Sequence, residues 1–184
     1  MSLENPWRCL GSKEIYSNPW IKVREDQVVS PGGKPGIYGV VESRIATGVV
    51  ALTSAREIYL VGQYRYPVEE YSWEIPEGGA EEREDPMEAA KRELREETGV
   101  VAKEWSRLGG EVHLSNCFSA ERGYLYLAQG LERGPAQPEH TEELRVKVVP
   151  FAECLAMVEK GEIKDSLTII AVLRVARMID ALAL

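Results

Sequence analysis

The segment spanning residues 74–100 constrains this chain most, because it specifies a helix with both of its ends and then loads the wrong end with negative charge. Asp85 stands as a side-chain cap, Pro86 takes the first helical position, and Glu88 lies three residues past the cap, as in a capping box. Gly99 follows the last periodic residues and supplies a left-handed terminator. A helix is therefore expected over residues 86–98, with Met87, Ala90 and Leu94 as its apolar stripe. Ten of residues 74–97 are acidic and four are basic, and the acids near the helix start suit its macrodipole. Glu93, Glu96 and Glu97 do not, since they fall in the last turn. Their i,i+3 and i,i+4 spacings put all three on one side, across an arc of roughly 100°. Uncompensated, that arrangement costs about 0.5–2 kcal/mol. It reads either as a solvated face with pairs such as Glu88–Arg92 or as a site where carboxylates hold a hard cation against phosphate. Charge spacing alone leaves both open.

Composition narrows the chemistry. The two histidines, His113 and His140, are 27 positions apart, and Cys9, Cys117 and Cys154 form no C-x-x-C pair, so neither zinc nor a disulfide framework is indicated. A bound metal would have carboxylate ligands, which selects Mg²⁺, with Mn²⁺ as an alternative. The net charge of −8 argues against nucleic acid as a partner. Residues 167–184 are apolar, but Arg174, Arg177 and Asp180 interrupt them, so a packed terminal helix is expected rather than a membrane span. Glu4, Asn5 and Pro6 stand where a secretory leader would be apolar, and a cytoplasmic protein is expected.

Elsewhere the pattern alternates strands and helices. Residues 7–44 read as a β-rich arm with a turn at Pro31-Gly32-Gly33-Lys34-Pro35-Gly36. Strands are expected at 47–52, 58–64, 124–128 and 144–149, and helices at 151–160 and 166–182, with Gly161 closing the first of these. This predicts an α/β fold, a mixed sheet covered by helices, divided as an arm (1–44) and a main domain (45–184).

Written out, the central segment is Gly78-x5-Glu84-x7-Arg92-Glu93-Leu94-x-Glu96-Glu97-x-Gly99-Val100, nine positions fixed in type and spacing. It resembles the Nudix box, the defining motif of the Nudix hydrolases, at every specified position. Similarity extends to Gln63-Tyr64-Arg65-Tyr66-Pro67, to Trp73-Glu74-Ile75-Pro76-Glu77-Gly78-Gly79, and to His113-Leu114-Ser115-Asn116 with Glu121, which resemble the ADP-ribose and nucleoside-diphosphate-sugar branch. Asn116 stands near where ADP-ribose pyrophosphatases often carry a proline, which favours a broader nucleotide-sugar preference.

The resemblance implies an α/β/α sandwich whose loop–helix–loop binds metal through Glu93 and Glu97, supported by Glu96 and by the carbonyl of Glu77. It implies that Arg92 orients a carboxylate and that Gly78 permits close backbone approach. It also implies an arm that pairs two copies as a homodimer. The reaction implied is hydrolysis of the pyrophosphate bond of a small nucleotide-linked substrate. Glu142, with Glu139 and Glu143 as alternatives, is the candidate that takes the proton from water; a solvated loop is the other reading. Arg65 would contact substrate phosphate or form a surface ion pair. Trp73 and Tyr38 would stack on substrate or pack in the core, and Glu121 is a further substrate-binding candidate. Trp7, Tyr16 and Trp20 are expected to pack within the arm, and His113 and Cys117 to be structural. Two other functions remain: housecleaning of another nucleoside diphosphate derivative, or ligand sensing without turnover.

Overall fold

A computed structural model describes residues 4–134 and 144–182. By internal packing the chain divides into two compact units, one comprising residues up to Arg44 with His113–Arg122, the other Ile45–Val112 with the chain from Gly123 onward.

The first unit is built on an antiparallel sheet of β1 (Arg8–Ser17), β2 (Ile21–Val29) and β3 (Pro35–Ser43), in that order. The expected turn joins β2 to β3, with Ser30 and Lys34 bonded across it and Gly33 at φ 79°. Register runs from Ile21 opposite Ser43 to Val29 opposite Pro35. All ten residues of β1 are exposed, Leu10, Ile15 and Tyr16 among them.

The second unit carries two sheets. One contains β4 (Ala46–Ala51), β7 (Glu77–Gly79), β8 (Val100–Arg107), β9 (Val112–His113) and β10 (Arg122–Arg133), in the order β7-β4-β10-β8 with β9 beside β10. It is mixed, since β4 and β10 run parallel while β7 and β8 pair antiparallel. The other is antiparallel, with β5 (Glu57–Arg65) between β6 (Glu70–Glu74) and β11 (Arg145–Pro150).

Helix α1 (Pro86–Thr98) has the expected bounds. Asp85 accepts from the N–H groups of Met87 and Glu88, at 2.9 and 3.4 Å, and Gly99 ends the helix at φ 68°. Ala90 and Leu94 bury its inner face against Val49, Ala51, Tyr59, Val100, Tyr126 and Ala128. Val50, out of phase with Val49, is buried on the opposite face of β4, where α3 (Ser166–Leu182) packs. Helix α2 (Phe151–Glu159) packs against β5, β11 and α3. Helices therefore cover both faces of the mixed sheet, the expected α/β/α sandwich. Among the described residues, no helix is long and apolar enough to cross a membrane.

The sequence reading passed over β6, β7 and β8. β6 and β7 are short, five and three residues. β8 ends the sheet, and its exposed Lys103, Glu104, Ser106 and Arg107 blur the alternation that marks a half-buried strand.

Candidate active site

The last turn of α1 meets the short segment that joins β6 to β7. Arg92 is the organiser of the helix side. Its guanidinium donates to both Glu84 oxygens (3.1 and 3.0 Å), to Glu93 Oε1 (2.7 Å), to Glu96 Oε2 (3.0 Å) and to the carbonyl of Gly79 (3.1 Å). Five bonds match the five N–H donors of an arginine. The Glu84 hydrogen bonds, joined by those of Glu93 and Glu96 and the Glu93 charge, hold Arg92 more basic than a free side chain against the effect of burial. One cation thus offsets the repulsion among carboxylates that the helix end cannot itself relieve. Glu93 and Glu96 keep 15% and 20% of their side-chain surface open, so they are gathered without being sealed.

Glu97 is more deeply placed, at 8% exposure, and its Oε2 accepts the backbone N–H of Glu77 at 3.0 Å. The strand register explains why that N–H is available. Bonds across the β4–β7 pairing run from Val49 N–H to Pro76 and from Ala80 N–H to Ile45. Glu77, opposite Gly48, lies between those bonded positions, so its N–H and C=O turn away from β4. Gly78 comes next, and a Cβ there would fall 2.2 to 2.5 Å from the three carboxyl atoms of Glu93. The missing side chain is the space that the Glu93 carboxylate occupies. The donor set of Glu93, Glu96, Glu97 and the Glu77 carbonyl is hard oxygen throughout, which fits Mg²⁺ or Mn²⁺.

A second group of charges adjoins the first. Arg65, at the end of β5, pairs with Glu74 through both of its oxygens and with Glu77 Oε1 at 2.8 Å. One carboxylate oxygen from each of Glu74, Glu77 and Asp165 lies within 4.8 Å of the other two. Burial, then the neighbouring Asp165 and Glu74 carboxylates, push the Glu77 carboxyl well above its usual range. Glu77 Oε2 is buried without a hydrogen-bond partner. Burial works against the charge on Arg65, but the Glu74 hydrogen bond and the charges of Glu77, Glu74 and Asp165 outweigh it, and Arg65 is held more basic than usual.

The structure therefore brings Arg92, Glu93, Glu96, Glu97 and Glu77 together and joins Arg65 to them through Glu77. Trp73 follows a different course. Successive residues of a strand face opposite ways, so it lies across β6 from Glu74. Its ring meets Lys147 Nζ at 4.1 Å and Tyr71 edge-on at 5.6 Å, over a Gly62 where a Cβ would strike it. Glu121 belongs to the first unit, where its N–H bonds to Ser119 Oγ at 3.0 Å. So does Tyr38, whose hydroxyl donates to the Cys117 carbonyl and whose ring meets Trp7 edge-on. Glu139, Glu142 and Glu143 lie outside the described residues. Sequence reasoning missed Asp165 and Thr168, both at the start of α3. The only local signal is that Asp165 precedes a helix, and that predicts a cap and nothing more.

Residues 42–168 match the NUDIX domain, and residues 7–41 match the nucleoside diphosphate sugar hydrolase N-terminal domain. An ADP-ribose pyrophosphatase of Mycobacterium tuberculosis is 35% identical over 175 residues, 94% of this chain and 84% of the relative. An ADP-ribose pyrophosphatase of Bacillus subtilis is 32% identical over 167 residues, 90% of each chain. A methanol dehydrogenase activator of Bacillus methanolicus is 33% identical over 167 residues, again 90% of each. A crystal structure of an ADP compounds hydrolase superposes with a TM-score of 0.84, covering 99% of this chain and 98% of the other at 19% identity, a likeness of fold.

Proposed function

The chain belongs to the Nudix hydrolase family, as a pyrophosphohydrolase of nucleoside diphosphate derivatives, and from that premise we propose that its substrate is ADP-ribose or a related nucleoside diphosphate sugar. The products are a nucleoside monophosphate and a sugar phosphate. The observation that carries this reading is that Arg92 gathers Glu93 and Glu96 while Glu97 takes the Glu77 N–H, around the side-chain-free position of Gly78. The likeness to two ADP-ribose pyrophosphatases over most of the chain supports the substrate class.

Mg²⁺, with Mn²⁺ as substitute, is the cofactor proposed for these oxygens. Bound there, a divalent ion supplies charge neutralisation at the diphosphate and a more acidic water. The chain's own residues do the rest. Arg92 fixes the Glu93 and Glu96 carboxylates, and Glu97 is held by the Glu77 N–H, so the oxygens are oriented before substrate arrives. Arg65 keeps 36% of its side-chain surface open and presents charge to a substrate phosphate. Glu142 takes the proton from the attacking water, with Glu139 and Glu143 as alternatives.

The assembly proposed is a homodimer formed through the arm (1–44), with 45–184 as the hydrolase domain. Supporting it, the arm exposes Leu10, Ile15, Tyr16, Trp20 and Ile37, each more than half open. Three free thiols, Cys9, Cys117 and Cys154, suit a reducing cytoplasm. The test is phosphate release in a phosphatase-coupled assay over a panel of nucleotide sugars including ADP-ribose, with and without Mg²⁺. Metal-dependent turnover of one class is expected. Tight binding with no turnover of any member would establish the sensor instead.

A further inference from the structure

Residues 75–77, where β6 gives way to β7, carry two backbone donors, because Pro76 has no N–H. Both go to helix side chains. Glu77 N–H is taken by Glu97 of α1, and Ile75 N–H by the hydroxyl of Thr168 of α3, each at 3.0 Å. Ile75 and Thr168 are both fully buried, so no water competes for that bond. Thr168 is itself fixed, since its N–H bonds to Asp165 Oδ2 at 2.7 Å in the first turn of α3. Asp165 also stands within the group of Glu74 and Glu77 carboxylates. The start of α3 thus grips the chain two residues before Glu77, whose N–H meets Glu97, although Thr168 and Ile75 are 93 residues apart in sequence.

We infer that Thr168 is a positioning residue for the Glu77 carbonyl, acting through the Ile75 N–H. The inference rests on the reading above that this carbonyl is a ligand of the divalent ion. Without the hydroxyl, Ile75 N–H is left buried and unpaired, and the segment gains freedom to turn away until the donor meets water. The carbonyl two residues on then loses its direction, while substrate contacts elsewhere persist.

The experiment compares the full chain with Thr168→Val, Thr168→Ser and Val172→Ala, the last a fully buried change one turn further along α3. Mn²⁺ affinity is read by electron paramagnetic resonance without substrate, and amide exchange of the 74–78 segment is read without metal. Thr168→Val is expected to weaken Mn²⁺ binding about fivefold, the equivalent of a net hydrogen bond of ~1 kcal/mol. It should also speed exchange at Ile75, raise the Mg²⁺ concentration for half-activation and leave KM for substrate near wild type. Thr168→Ser should restore all of these, and Val172→Ala should lower Tm with Mn²⁺ affinity unchanged. If Thr168→Val does not fold, Thr168→Ala carries the same expectation. A folded Thr168→Val with wild-type Mn²⁺ affinity would overturn the inference and leave the hydrolase reading intact, as would equal weakening by Val172→Ala. Wild type that binds Mn²⁺ but turns over no substrate would overturn the hydrolase reading alone, with Mn²⁺ affinity still deciding the role of Thr168. Wild type that binds no Mn²⁺ would overturn both.

Discussion

Gly78 lies flat against the carboxylate of Glu93, so closely that a methyl group on its Cα would fall 2.2 Å from Glu93 Cδ. Both are fixed positions of one motif, Gly78 opening it and Glu93 standing 15 residues later, and packing shows why one requires the other. Gly78→Ala must swing the carboxylate out of place. A misplacement on the scale of 1 Å can cost about 100-fold in rate, and a fall of that order in kcat/KM is expected. Steady-state kinetics at saturating Mg²⁺ check it; wild-type values would mean that the orientation of Glu93 is irrelevant to turnover.

Glu97→Gln keeps an oxygen to accept the Glu77 N–H and so keeps the fold, but removes the charge. The expected result is a kcat at least about tenfold lower, corresponding to ~1.4 kcal/mol of transition-state stabilisation. Unchanged kcat at saturating metal would remove Glu97 from the ligand set.

Arg92→Lys is a severe change despite keeping the charge. Lysine has three donors on one nitrogen and cannot reach Glu84, Glu93, Glu96 and Gly79 as a planar fork does. A loss of about 1.5–3 kcal/mol of stability is expected in the absence of metal, from broken bonds to charged groups. Urea unfolding in EDTA measures it, and an unaltered midpoint would show that the network contributes nothing.

Glu84 predicts a pH dependence. Hydrogen bonds from Arg92 hold its carboxyl below the usual 4.5, against some cost of burial. A group whose folded value is depressed contributes stability that is fully present above the unfolded value and lost as pH falls through the folded one. The stability difference between wild type and Glu84→Gln should therefore be constant above 4.5 and shrink on further acidification. A difference that grows toward acid would reverse the assignment.

Glu142→Gln should slow turnover and leave Mn²⁺ affinity largely intact, as expected for a proton acceptor that is not a ligand. Equal loss of both would place Glu142 among the ligands.

Much of the fold was legible because its signals are local. Asp85, Pro86 and Gly99 bound α1 by capping chemistry that involves only a few neighbours, and the structure ends the helix where they do. The β2–β3 turn was marked in the same way by Pro31, Gly32 and Gly33. β8 was not legible, because a strand at the end of a sheet mixes exposed polar residues into its pattern and is defined by its pairing with β10. The glutamates of α1 were legible as a set through their helical spacing and the motif they complete.

The sequence by itself determined which residues stand side by side on α1 and where that helix begins and ends, since hydrogen bonds spanning three or four residues settle both. Only the tertiary structure decided what those carboxylates face. The Glu77 N–H turned toward Glu97, the Gly78 contact with Glu93, the Arg65 pair with Glu77, and the Thr168 hydroxyl on Ile75 all join distant parts of the chain. Such contacts depend on strand register and on helices packing from both faces of a sheet, and apart from Gly78 and Glu93, which the motif already pairs, no spacing along the chain encodes them.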